Sequence, residues 1–367
     1  MAVIIGSVWP AAAADPKPDH VFDDGVPVYF LNQRDGSKAI VEDDPDGFFD
    51  HLTLLDIAIR TGKDPKSDDL DAERARFKKF VAGHVRKWTR TEKEVLLAVV
   101  TSAHEMCGKS LPAMRPQAWR FIKTSGEEEG SPYTRGSAIV LPEDQLAAGV
   151  NLDIVLHEWF HVYSRLHPDV RRELYALLGF RPLPAVNVPA TLQRKRITNP
   201  DGIDIALAIA VTAPDGRKID VVPVIYSKFD QRRDDVSGTF AYLTFGLFEV
   251  RESGGSWSIV TDAAGQPSAP LSPTVDGFFQ QIGNNTQYVI HPDEILADNV
   301  ALLIASENGA ATRPIQSVPR PRTFSRRSRT RVAVIHTGRR AASQAGTRRA
   351  SARARHTGRV PRPQARG

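Results

Sequence analysis

Three side chains in the run His157-Glu158-Trp159-Phe160-His161 have the types and spacing for metal chemistry. With 3.6 residues per helical turn, positions four apart stack on one face, so both imidazoles can aim at one ion. Neutral imidazole nitrogen is a good ligand for zinc, and a catalytic zinc keeps one coordination position open for water. Glu158 falls on the neighbouring stripe, where its carboxylate can take a proton from that water as a general base. The flanks are apolar: Ile154, Val155 and Leu156 lead in, Trp159 and Phe160 fill the middle, and Val162 and Tyr163 follow. Two imidazoles and a carboxylate on such a stripe are costly to bury unless something pairs with them. The helix that must carry them has its boundaries written in the sequence. Asn151 is placed as N-cap, Asp153 suits the first turn and Pro168 ends the segment.

Two histidines do not complete a site, and three residues compete for the third position. His167 is the local one. His157-Glu158-x-x-His161-x-x-Ser164-x-x-His167 differs by one letter from the metzincin pattern, which has glycine at the place of Ser164 so that the chain can turn sharply. Serine carries a Cβ and takes positive φ reluctantly. Metzincins also have a methionine turn downstream, whereas Met1, Met106 and Met114 all lie upstream of this helix. Glu294 is the distant candidate. The run from His291 through Pro292, Asp293 and Glu294 reads as a helix start, with proline in the first turn and acidic residues at the positive end of the dipole. Ile295, Leu296, Ala297, Val300 and Leu303 make it an interior helix, and Glu294 and Asp298 share a face. Glu173, in the helix after Pro168, is the third alternative.

The pair His157-Glu158-x-x-His161 and Glu294-x-x-x-Asp298 resembles the gluzincins, the thermolysin-like clan of zincin metallopeptidases. The resemblance covers the two helices and the strand before the first, not the whole chain. It implies an α+β fold with a zincin-like core, and one Zn2+ held by His157, His161 and Glu294. Asp298 would accept a hydrogen bond from His157 and fix its ring. The implied activity is peptide-bond hydrolysis on a peptide or protein substrate, with Glu158 as general base. An oxyanion formed on the way needs a donor besides the ion. Tyr288 and His291, just before the Glu294 helix, are the candidates, and Tyr288 stands closer to the ligand than a thermolysin-like pattern places it. A second departure is the connection: more than a hundred residues separate the two ligand helices. The competing function is a non-catalytic zinc-stabilised protein whose β-rich insertion binds a partner. Glu158 speaks against it, since a structural site has no use for a carboxylate beside an open position.

The 367 residues suffice for two domains, or for one large domain with an insertion. No run of about eighteen apolar residues occurs, so no membrane-spanning helix is expected. The net charge of +5 averages two unlike parts. Residues 308–367 hold sixteen arginines and no lysine, aspartate or glutamate, whereas residues 1–307 carry 32 basic and 43 acidic side chains, net −11. Nucleic-acid binding by the tail would need aromatics among the cations for stacking, and Phe324 is the only one. No nucleic-acid partner is expected. The tail, 311–367, reads as a disordered basic segment: an arm for anionic polymer or membrane surface, a solvated tail, or out-of-frame translation of a GC-rich gene. Residues 1–14 resemble the end of a secretory signal closing on alanines 11–14, although its positive n-region is missing. Export, to periplasm or medium, is the expectation and a cytoplasmic location the alternative. Cys107 is the sole cysteine; it excludes an internal disulfide and reads as a small buried hydrophobe.

Between these ends, residues 15–45 are rich in Asp, Pro and Gly and read as an extended entry. Residues 46–195 hold a helical region, the cleft strands and the motif helix. Thr89 and Glu92 are spaced as a capping box for a helix over 92–106, on which His104 and Glu105 read as surface or supporting residues. Residues 119–123 and 133–141 read as strands. In zincins the strand before the active-site helix edges the cleft and pairs with substrate by strand addition, which assigns that role to residues 137–140. Residues 196–283 form a β-rich antiparallel insertion. Strands over 205–211 and 219–226 flank Pro214-Asp215-Gly216, and strands over 240–251 and 257–260 flank Ser253-Gly254-Gly255. Residues 284–310 complete the chain with the third-ligand helix.

Overall fold

The computed structural model describes residues 16–309. The expected signal remnant and the arginine-rich tail lie outside the described residues. Helices and two sheets make up an α+β protein. The first sheet contains β1 (His20–Val21), β2 (Pro27–Phe30), β3 (Trp119–Thr124), β4 (Tyr133–Arg135) and β5 (Ala138–Pro142), in the order β1-β2-β3-β5-β4. Its centre, β2-β3-β5, is parallel, and β1 and β4 close the two ends antiparallel. Parallel strands are covered on both faces and need continuous apolar runs. The residues of β5 are accordingly all buried. Phe48, Phe49, Phe77, Val81, Ile122 and Val140 join helices and sheet in one core cluster.

Two expectations are corrected here. The segment 15–45 is not an extended entry: it supplies β1, β2 and the helix Gln33–Glu42, capped by Asn32. Its Asp, Gly and Pro residues serve turns and caps between short elements, which conceals them from a periodicity reading. The strand expected over 133–141 is a hairpin. Gly136 takes φ +53°, a left-handed conformation, and a Cβ there would fall 1.9 Å from the Asp43 carboxylate. That carboxylate accepts hydrogen bonds from the Ser137 backbone N–H (2.9 Å) and hydroxyl (3.2 Å), locking the turn. Residues 137–140 are therefore not an edge. Ile139 and Val140 of β5 pair with β3 on one side and β4 on the other, and β4 is the outer strand.

The second sheet contains β6 (Phe180–Pro182), β7 (Val186–Asn187), β8 (Leu207–Thr212), β9 (Lys218–Ser227), β10 (Leu243–Ser253) and β11 (Ser256–Ile259). Its order is β6-β8-β9-β10-β11-β7, antiparallel except where β7 lies along β11. The β8–β9 turn falls at the expected Pro214-Asp215-Gly216, with Asp215 accepting from Arg217 N and Gly216 at φ +84°. The sheet starts earlier than residue 196, because β6 and β7 are recruited from the segment after the motif helix. At two or three residues each they are too short to show an alternating pattern.

The motif helix, Leu152–Leu166, packs against the helices Arg90–Ser110, Pro168–Leu177 and Pro292–Glu307 and against β4 and β5. It is enclosed, as its apolar stripe requires. The Pro292–Glu307 helix is buried nearly all round, which explains its apolar residues on every face. No helix among the described residues is long and apolar enough to cross a membrane.

Candidate metal centre and cleft

Asn151 caps the motif helix, its side chain accepting from Ile154 N at 3.0 Å. The helix runs unbroken through Ser164 to Leu166, and no non-glycine residue among those described has positive φ. Without the sharp turn, His167 does not swing back. Its Nδ1 bonds the Tyr163 carbonyl at 2.8 Å and its ring stacks on Tyr163. Glu173 is exposed on the following helix.

Glu294 arrives from the other side. Its helix begins at Pro292, with His291 as N-cap. The first turn is anchored by Asp293, which is fully buried and bonded to Arg171 (2.6 and 3.0 Å) and to the Tyr175 hydroxyl (2.6 Å). Burial opposes ionisation of Asp293, but the Arg171 guanidinium beside it holds its carboxyl well below the usual range. The helix following the motif thus fixes the helix that bears Glu294.

Three polar atoms converge. His157 Nε2 lies 3.1 Å from Glu294 Oε2, His161 Nε2 lies 3.4 Å from the same oxygen, and the two Nε2 atoms are 3.0 Å apart. Four ligands at zinc–nitrogen bond lengths around a tetrahedral centre stand about 3.3 Å from one another. The three donors match three such corners. Neutral imidazole nitrogens cannot both present hydrogens across 3.0 Å, so a cation or a shared proton belongs between them. His157 Nδ1 donates to Asp298 Oδ1 at 2.8 Å, which leaves the Nε2 lone pair aimed at the centre. Asp298 is itself held by the Thr286 hydroxyl, and Asn199 Nδ2 donates to the second Glu294 oxygen at 2.6 Å.

Electrostatics agrees with that geometry. Burial lowers the His157 pKa, but the hydrogen bonds to Asp298 and Glu294 more than offset this and raise it well above its ordinary value. His161 is likewise raised against burial, by Glu294 and Asp201. Glu294 is pulled far down by the two imidazoles despite its burial. The cluster stabilises positive charge at its centre. Glu158 behaves oppositely: burial, then the negative charge of Asp201, pushes its carboxyl up to about 8. Its Oε2 is buried without a hydrogen-bond partner, as is His161 Nδ1.

A cleft of about 520 Å³ opens over the cluster, lined by His157, Glu158, Glu294, Asp298, Asn199 and Asp201 among others. Tyr288 lines it too, and its phenol is kept protonated by partial burial and by the surrounding carboxylates. His291 does not join it. Its Nε2 donates to the Asp204 carbonyl at 2.8 Å, its Nδ1 accepts from Asp293 N at 3.2 Å, and a Cβ on Gly202 would lie 2.1 Å from its ring. Both ring nitrogens are committed to capping and docking the helix, so His291 is corrected from oxyanion donor to anchor.

Asn199, Asp201, Thr286 and Arg165 are site residues that sequence reasoning missed. Arg165, at the end of the motif helix, is buried and donates to Asp46, Thr134, the Gly136 carbonyl and the Pro200 carbonyl. Asp201 Oδ1 accepts from the Thr134 backbone N–H at 2.8 Å and from its hydroxyl. The segment around Pro200 is thereby stapled to the outer strand β4, and the Thr134 N–H is taken. Asp201 also forms with Glu158 and His161 a second close group of ligand-type atoms. The only sequence signal was a polar, turn-forming run between Ile197 and Ile203. Compared with family models, with curated proteins and with solved structures, the chain matches none.

Proposed function

We propose that this chain is a zinc-dependent peptidase with a zincin-like core of the gluzincin kind. His157, His161 and Glu294 hold one Zn2+, Asp298 orients His157, and Glu158 is the general base. The observation that carries the reading is the convergence of the three donors, from helices more than a hundred residues apart, with two of those donors lining the same cleft as Glu158. Zinc, when bound, polarises the scissile carbonyl and lowers the pKa of the attacking water. Burial and the charge of Asp201 raise the proton affinity of the Glu158 carboxylate, which favours its taking a proton from water and handing it to the leaving amine. Its unpartnered Oε2 leaves it free to do so. Tyr288, protonated and on the cleft wall, is the donor for the oxyanion. The arrangement favours an enzyme over a purely structural metal site, which would close with a fourth protein ligand rather than face a cleft.

The purified chain is expected to hold one zinc and to cleave denatured casein. A chelator should abolish cleavage, and one equivalent of zinc should restore it. Zinc-loaded protein that leaves every denatured substrate intact would end the peptidase reading.

A further inference from the structure

A second cavity, of about 1010 Å³, shares no lining residue with the metal cleft. Its volume is at the upper end for small-molecule sites. Leu52, Leu55 and Leu70 line one side of it, and Leu192, Tyr226 of β9 and Phe248 of β10 line the other. The walls are mainly apolar, and three polar groups among them lack a match. Among the described residues only three hydroxyl oxygens are buried without a hydrogen-bond partner, and two of these, Thr191 Oγ1 and Ser268 Oγ, belong to this lining. A buried hydroxyl left unpaired is costly, so two in one cavity call for an acceptor. The third group is Arg196, 8% exposed and part of the same lining. Its guanidinium makes one hydrogen bond, to Gln193 Oε1 at 3.3 Å. Burial lowers its pKa from the ordinary arginine value despite the charges of Asp56 and Asp204.

The other charged groups of the cavity are engaged or at its rim. Arg74 donates to the Leu52 carbonyl, Arg232 pairs with Asp64 at 3.0 Å and Lys195 with Asp230 at 3.0 Å. Arg194 and the four lining aspartates, Asp50, Asp64, Asp68 and Asp230, are exposed. One buried cation and two hydroxyl donors match a carboxylate, which is acceptor-only. The walls offer little to a peptide backbone. Arg74 takes the Asp50 and Leu52 carbonyls, and Tyr226 is already paired with both Thr244 and Arg196. The backbone N–H groups of residues 193–196 are used within their own turn, and Pro267 and Pro270 have none. A hydrocarbon chain needs no such partners.

We infer that this cavity binds an aliphatic carboxylate. Its chain lies against Leu52, Leu70, Leu192 and Phe248, and its carboxylate takes Arg196, Thr191 and Ser268 as donors. The site depends neither on the metal centre nor on peptide cleavage. The zinc-loaded full chain is titrated calorimetrically with decanoate, octanoate, octanol and trileucine. Decanoate should bind about tenfold more tightly than octanoate, the effect of two further buried methylenes. Octanoate should bind at least about tenfold more tightly than octanol, which lacks the charge. Arg196→Gln should remove most of that second margin. The double variant Thr191→Val, Ser268→Ala breaks no hydrogen bond of the free protein, so it should fold as wild type and still bind decanoate about fivefold more weakly. Equal affinities for octanoate and octanol would overturn the inference. So would tighter binding of trileucine, which would make the cavity a peptide groove. Decanoate binding that ignores both the Arg196 and the hydroxyl variants would place the carboxylate elsewhere, the zinc included, and would overturn it as well. Each result stands whether or not the chain cleaves peptides.

Discussion

Replacing Glu158 by glutamine should abolish hydrolysis while the metal stays in place. The two side chains have nearly the same shape, so the helix and its packing are preserved. An amide cannot accept the proton from the attacking water, and loss of a general base costs roughly 10²- to 10⁴-fold in rate. Zinc content should be unchanged, since the converging donors are His157, His161 and Glu294. Stability should not fall either: Glu158 is buried with one oxygen unpartnered, and replacing a carboxylate by a neutral amide lowers the cost of burial. The check is kcat/KM on a quenched-fluorescence peptide beside the metal content of the same sample. Activity within tenfold of wild type, at full zinc, would remove Glu158 from the chemistry.

Glu294→Ala should do the opposite and strike the metal first. The substitution deletes the one charged donor facing two imidazoles, 3.1 and 3.4 Å from their nitrogens. Loss of a residue that merely orients a ligand costs about 10- to 100-fold in metal affinity. Loss of a ligand that also supplies the neutralising charge should exceed about 100-fold. The helix start should survive, because Asp293 and its bonds to Arg171 and Tyr175 anchor the first turn independently. Competition against a chromophoric chelator reads the affinity, and the circular dichroism spectrum of the metal-free variant reads the fold. Undiminished affinity in a folded variant would reopen the question of the third donor.

Much of the site was legible because it sits on two long helices with local signatures. The four-residue spacing of His157 and His161, the Asn151 cap and the first turn of Pro292, Asp293 and Glu294 all express short-range geometry, and the structure keeps each of them. The Thr89–Glu92 capping box survives for the same reason. What sequence could not give depends on contacts distant in the chain. Gly136 looks like any residue in an alternating run until Asp43, ninety-odd residues upstream, closes the turn beneath it. His291 has the chemistry of an oxyanion donor, and only the approach of Gly202 and Asp204 makes it an anchor. Asn199 and Asp201 reach the cluster through a loop whose path is set by Arg165, and no periodic pattern marks such residues. Cys107 is buried and its thiol pushed up by desolvation, in keeping with a plain packing role.

The zinc K-edge X-ray absorption spectrum of the zinc-loaded chain is the most direct test of the convergence. Two imidazoles together with oxygen donors are expected in the coordination shell of the zinc-loaded wild type. A shell with three imidazoles, or with none, would contradict a centre built from His157, His161 and Glu294.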